Sequence, residues 1–93
     1  MNEYHCYIIC YDLCRPGRDY NSLCNALTTF PSWGKLTEST WAVVSDKSAT
    51  EIRNYLRLYI DMSDRLIVIK SGQIAAWTQV MASNQWLKEN LIK

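Results

Sequence analysis

Apolar residues fall along this chain in two alternating rhythms. Tyr4 to Tyr11 is an unbroken run of aromatic, β-branched and Cys residues, which predicts a strand covered on both faces. Arg15-Pro16-Gly17 ends it, because Pro and Gly form turns. Asp19 is placed to cap a helix in which Tyr20, Leu23, Cys24, Leu27 and Phe30 recur at helical spacing, and Pro31 closes it. Two short extended pieces follow, Gly34 to Glu38 and Thr40 to Ser45. The second alternates Trp41 and Val43 against Ala42 and Val44, as a strand should. Ser48-Ala49-Thr50-Glu51 has the form of a capping box. Behind it, Ile52, Tyr55, Leu56, Tyr59 and Ile60 form the apolar stripe of the clearest helix in the chain. Arg65 to Lys70 is another strand, and Ser71-Gly72 turns the chain. Gln73 to Trp77 is expected to return as a short edge strand or an exchanged one, and a last amphipathic segment starts near Asn84.

The order strand, helix, strand, strand, helix, strand is that of an α+β, ferredoxin-like βαββαβ domain with an antiparallel sheet. The expected division is a domain over 1–77 and an amphipathic tail over 78–93, packed on the domain or on a dimer. In this plan both helices cover one sheet face and leave the other open. An open face rich in Tyr and Trp predicts a homodimer, formed through the sheet or by exchange of the tail.

Composition narrows the class of protein. The 93 residues suffice for one domain, and a chain this short buries only about 60–65% of its unfolded surface. Four Trp and six Tyr are many to hide in one protomer, which again favours an oligomer or a binding face. The formal net charge of +1 lacks the basic excess of a dedicated DNA binder, although it does not preclude a local patch. The first residues lack the basic and small-residue features of a secretory signal, and no apolar run approaches the roughly 18 residues of a membrane span. Cys6, Cys10, Cys14 and Cys24 match no zinc spacing, with no C-x-x-C and the single histidine His5. Cys6 and Cys10 share one side of a strand about 13 Å apart and cannot bridge each other. Free thiols in a cytoplasmic protein are the expectation.

Alternation of strand direction lets distant residues be placed together. The end of the first strand, the turn between the second and third, and the start of the last should share one rim. That rim collects Asp12, Ser39, Asp61, Asp64, Arg15, Arg18 and Arg65. Carboxylates beside arginines suit Mg²⁺ or Mn²⁺ and a phosphodiester. The plainer alternative has Asp12 satisfying loop amides, Asp61 and Asp64 capping turns, and Arg65 pairing with one of them. Asp12 stands out, since a carboxylate closing an apolar strand needs a partner. His5 lies at the strand's other end and reads as a packing or edge residue. The Trp residues could stack on bases, though at this spacing they also read as core or dimer contacts.

Tyr11-Asp12-Leu13, the hairpin Glu38-Ser39-Thr40-Trp41-Ala42-Val43, and Tyr59-Ile60-Asp61 followed by Asp64-Arg65-Leu66-Ile67-Val68-Ile69 resemble the CRISPR-associated Cas-two family. Pro16-Gly17-Arg18-Asp19-Tyr20, Ala75-Ala76-Trp77 and Trp86-Leu87-Lys88 are similar to short stand-alone bacterial relatives of that family. The resemblance implies a ferredoxin-like protomer, a two-fold dimer and a link to DNA or RNA, as an adaptor or as a metal-dependent endonuclease. It implies Asp12 as the catalytic and metal-binding residue, holding Mg²⁺, with Ser39 opening the third strand. Arg15 and Arg18 would then contact phosphates. The related virulence-associated protein D, a ribonuclease, keeps RNA among the substrates. The near-neutral charge and aromatic excess support an alternative, a non-enzymatic dimeric module in defence, mobile-element or toxin–antitoxin systems that binds another protein.

Overall fold

The computed structural model describes residues 3–13, 20–72 and 74–92. Arg15, Arg18, the turn that holds them, the Asp19 cap, Cys14 and Gln73 lie outside the described residues. In chain order the elements are β1 (His5–Asp12), α1 (Asn21–Leu27), β2 (Ser32–Thr37), β3 (Thr40–Ser45), α2 (Ala49–Leu56), a 3₁₀ turn at Arg57–Tyr59, β4 (Arg65–Lys70) and α3 (Asn84–Asn90). The four strands form one antiparallel sheet in the order β2-β3-β1-β4. This small α+β architecture is compatible with the expected plan. Among the described residues, no helix is long and apolar enough to cross a membrane.

β1 is central and pairs on both sides, with Ile9 opposite Trp41 of β3 and Val68 of β4. Alternation then sorts its side chains. Tyr7 and Ile9 enter a buried core with Trp41 and Val43, under Leu23, Ala26 and Leu27 of α1 and Ile52 and Leu56 of α2. Leu66 and Val68 of β4 pack against its edge. The intervening residues of β1, Cys6, Ile8 and Cys10, are half-buried on the opposite face.

Local chemistry explains the helix ends. Both halves of the α2 capping box form: Glu51 N–H donates to Ser48 Oγ, and Ser48 N–H donates to Glu51 Oε1, each at 3.1 Å. α1 stops at Leu27, short of the Phe30 expected from periodicity. Thr28 and Thr29 both turn their hydroxyls back onto carbonyls three residues earlier, those of Asn25 and Ala26, and close the last turn early. β2 starts at Ser32, two residues before the expected Gly34, and is irregular between Lys35 and Thr37.

The tail corrects two expectations. Residues 74–77 form no strand in the protomer, and the face opposite α1 and α2 is not fully open. Instead the tail crosses that face above β2 and β3. Met81 N–H donates to the Leu36 carbonyl (2.9 Å), Trp86 Nε1–H donates to Ser32 Oγ (2.9 Å), and Ser71 Oγ donates to the Leu91 carbonyl (3.1 Å). Leu87 and Leu91 are buried there, and Ala42 beneath is sealed. Gly34 admits the tail: a Cβ at that position would lie 3.2 Å from both Ala82 Cβ and Trp86 Cε3. Burial of Leu87 alone contributes about 1.5–3 kcal/mol to docking.

Gly34→Val is therefore expected to force the tail off the sheet, and hydrogen exchange should show lost protection at the amides of Leu87 and Leu91 while β1 stays protected. Ser48→Ala should cost about 1 kcal/mol in urea unfolding. The Ser48 hydrogen bonds lower the pKa of Glu51, backbone donor first. A depressed carboxyl contributes stability above its unfolded value and loses it as pH falls through the folded one. Ser48→Ala removes the side-chain bond but keeps the larger backbone one, so it should flatten the acid limb of the stability profile only in part.

Candidate functional site

The rim expected from chain order is built around Tyr11. Its side chain faces α1 and α2, and its hydroxyl accepts a hydrogen bond from Trp41 Nε1–H (3.1 Å) while donating to the Glu38 carbonyl (3.2 Å). Its backbone N–H donates to the Ser39 carbonyl (3.1 Å). These three bonds pin the β2–β3 turn against the end of β1. Burial is the main cause that pushes the Tyr11 phenol above its ordinary pKa, opposed by the Trp41 donor.

One residue later the chain turns Asp12 to the other face, directly opposite Arg65 in the β1–β4 ladder. Arg65 Nη1 donates to Asp12 Oδ2 at 2.8 Å. Both side chains are open to water, 65% exposed for Asp12 and 74% for Arg65. An exposed pair of this kind contributes only about 0–1 kcal/mol. Lys35 Nζ, 3.6 Å from Glu38 Oε2, carries positive charge to the neighbouring turn. Ser39 is exposed in that turn.

Asp61 and Asp64 reach the same end of the sheet but take another role. Asp64 accepts the Tyr20 hydroxyl (2.8 and 3.0 Å) and the Asp61 N–H (2.8 Å), which ties the start of α1 to the start of β4. Asp61 Oδ2 accepts the Ser63 hydroxyl (2.9 Å). The plainer sequence reading is the one these two carboxylates fit. The structure thus brings Asp12, Ser39 and Arg65 together, and leaves Asp61 and Asp64 as braces of the adjoining turn. Among the described residues, no three His, Cys, Asp or Glu side chains converge as a metal cluster. His5 sits at the far end of β1, opposite Ser45, with Nε2 3.5 Å from Glu3 Oε2.

Two neighbours of this rim were not singled out from sequence. Ile67 and Ile69 share the Asp12 face of β4 and remain 53% and 49% exposed. The alternation Arg65, Ile67, Ile69 against Leu66 and Val68 was their signal, but it could not say which face the tail would leave uncovered. Comparison with protein-family models, with curated proteins and with solved structures finds no match to this chain.

Cys6, Cys10 and Cys24 are free thiols, and Cys10 Sγ accepts the Thr40 hydroxyl at 3.7 Å. Burial pushes the Cys6 thiol up to about 11. Peptide mapping after brief native alkylation at neutral pH should find Cys6 unmodified until the chain is unfolded. The sign of the pH effect follows: the neutral thiol's contribution to stability is full below its ordinary value and is lost as pH rises towards about 11.

Proposed function

We propose that this chain is a Cas-two-like, ferredoxin-like protein that acts as a homodimer on DNA or RNA, with the Asp12 rim as its working end. The observation that carries the reading is the exposed Asp12–Arg65 pair beside Ser39, on the face the tail leaves uncovered. Cys10, Asp12, Arg65 and Ile67 line a shallow depression on this face, where a second protomer and a phosphate backbone could both be met. Burying Ile67 and Ile69 against their symmetry mates supplies the apolar drive for association. A two-fold axis through this patch would set one Asp12 near the other.

Mg²⁺ suits such an arrangement, because it is commonly held by one or two carboxylates with water and substrate phosphates completing the shell. Asp12 of each protomer would hold it, and when bound it would polarise a phosphoryl oxygen. With Asp12 engaged by the ion, Arg65 would take a phosphate, a role in which its planar fork exceeds that of lysine. The near-neutral total charge favours binding through a few placed contacts over broad electrostatic attraction.

Asp12→Ala is expected to abolish Mg²⁺-dependent cleavage, measured on labelled DNA and RNA, and to leave the dimer intact in sedimentation. Wild-type protein that neither cleaves nor binds any nucleic acid in a salt-sensitive way would refute the proposal. Ile67→Glu should convert the dimer to monomer, since it places a charge on the apolar contact. Recovery of a protein partner with no nucleic acid would favour the interaction-module reading.

A further inference from the structure

β2 is an edge strand, and the parity of the ladder shows which of its backbone groups are open. Tyr11 N–H donates to the Ser39 carbonyl, so Trp41 and Val43 of β3 bond to β1, while Ala42 and Val44 bond to β2. Their partners in β2 are Gly34 and Ser32, which leaves the N–H and C=O of Trp33 turned to the free edge. Among the described residues neither group takes a hydrogen bond. The open stretch is short. Pro31 before it has no N–H, and the Leu36 carbonyl after it is taken by Met81 N–H at 2.9 Å. Such a stretch suits a compact ligand better than an added strand.

The Trp33 side chain shares a sheet face with the core residue Val43 opposite it, yet is 42% exposed. Its ring centre lies 5.4 Å from that of Trp41, which is buried and braces it. Lys35, two residues on along the same face, holds its Nζ 5.8 Å from the centre of the Trp41 ring. The ammonium and the exposed indole are thus neighbours on one support. Trp33 and Lys35, with Met81, Ser83 and Trp86 of the tail, line a cleft of about 380 Å³ along this edge.

We infer that Trp33 is a stacking platform for an unpaired nucleobase, and that this margin of β2 carries a single-stranded segment of nucleic acid. The role rests on the proposed nucleic-acid function and makes the substrate single-stranded at this point. Three groups that one nucleotide needs meet here. The indole offers a flat apolar surface to the base. The open Trp33 N–H and C=O offer a donor and an acceptor to a base edge, where acceptors and donors lie side by side. Lys35 offers positive charge to the phosphate, opposed by Glu38 with Oε2 3.6 Å from its Nζ. Glu38 belongs to the turn that Tyr11 pins, so the platform adjoins the Asp12 rim. From Thr37 at that turn to Trp33 is about 13 Å along β2, so a strand held at the rim reaches Trp33 within a few nucleotides.

The test compares a labelled oligodeoxythymidine, an abasic strand of equal length and a duplex, each read by fluorescence anisotropy. Trp33→Leu should weaken the oligodeoxythymidine at least about fivefold and leave the abasic strand and the duplex unaffected, while Trp33→Phe keeps most of the binding. Lys35→Gln should weaken both single strands alike and lower the slope of log K against log salt by about 0.7. In ¹H–¹⁵N spectra of the wild-type chain, the Trp33 amide and indole signals should shift with the oligodeoxythymidine and not with the abasic strand. Unmoved Trp33 signals, a Trp33→Leu loss shared equally by all three probes, or binding of the duplex alone would overturn the platform and leave the proposed function standing. Binding of none of the three by wild-type protein would overturn both.

Discussion

The double pairing of β1 is the constraint on which the remaining structure depends. With β3 on one side and β4 on the other, its register cannot slip by one residue without turning Tyr7 and Ile9 out of the core. That same parity decides that Tyr11 faces the helices and braces the hairpin, and that Asp12 faces away from them. The reach of Asp12 to solvent is thus a consequence of core packing three and five residues earlier in the strand.

The sheet uses its two faces unequally. One is closed by α1 and α2 over a continuous apolar core. The other is shared between the tail, which covers β2 and β3, and an uncovered strip along β1 and β4. Gly34 favours the division, since a Cβ there would press within 3.2 Å of Ala82 and Trp86 and the tail would have to give way. The tail buries Leu87 and Leu91 but stops short of Ile67 and Ile69, so the apolar strip ends up on the same face as the Asp12–Arg65 pair.

The two ends of the sheet differ in chemistry because different kinds of loop meet there. At the Asp12 end a tight hairpin and the turn before β4 expose charged groups in water, where ion pairs are weak. At the Ser45 end the close of α1 and the start of α2 leave a cleft lined by Phe30, Ile52 and Tyr55 together with Asp46, Lys47 and Glu51.

Much of the secondary structure was legible from local sequence. The capping box, the alternation through Thr40 to Ser45, and the apolar runs of β1 and β4 each act within a few residues, so the physics that forms them is written contiguously. The proximity of Asp12, Ser39 and Arg65 was also legible, because antiparallel order alone carries it. Only the tertiary structure decided that Arg65 takes Asp12 while Tyr20 takes Asp64, that 74–77 forms no edge strand within the protomer, and where the tail lies. Those outcomes turn on competition between surfaces far apart in the chain, and on volumes such as the one missing at Gly34, which no local pattern encodes.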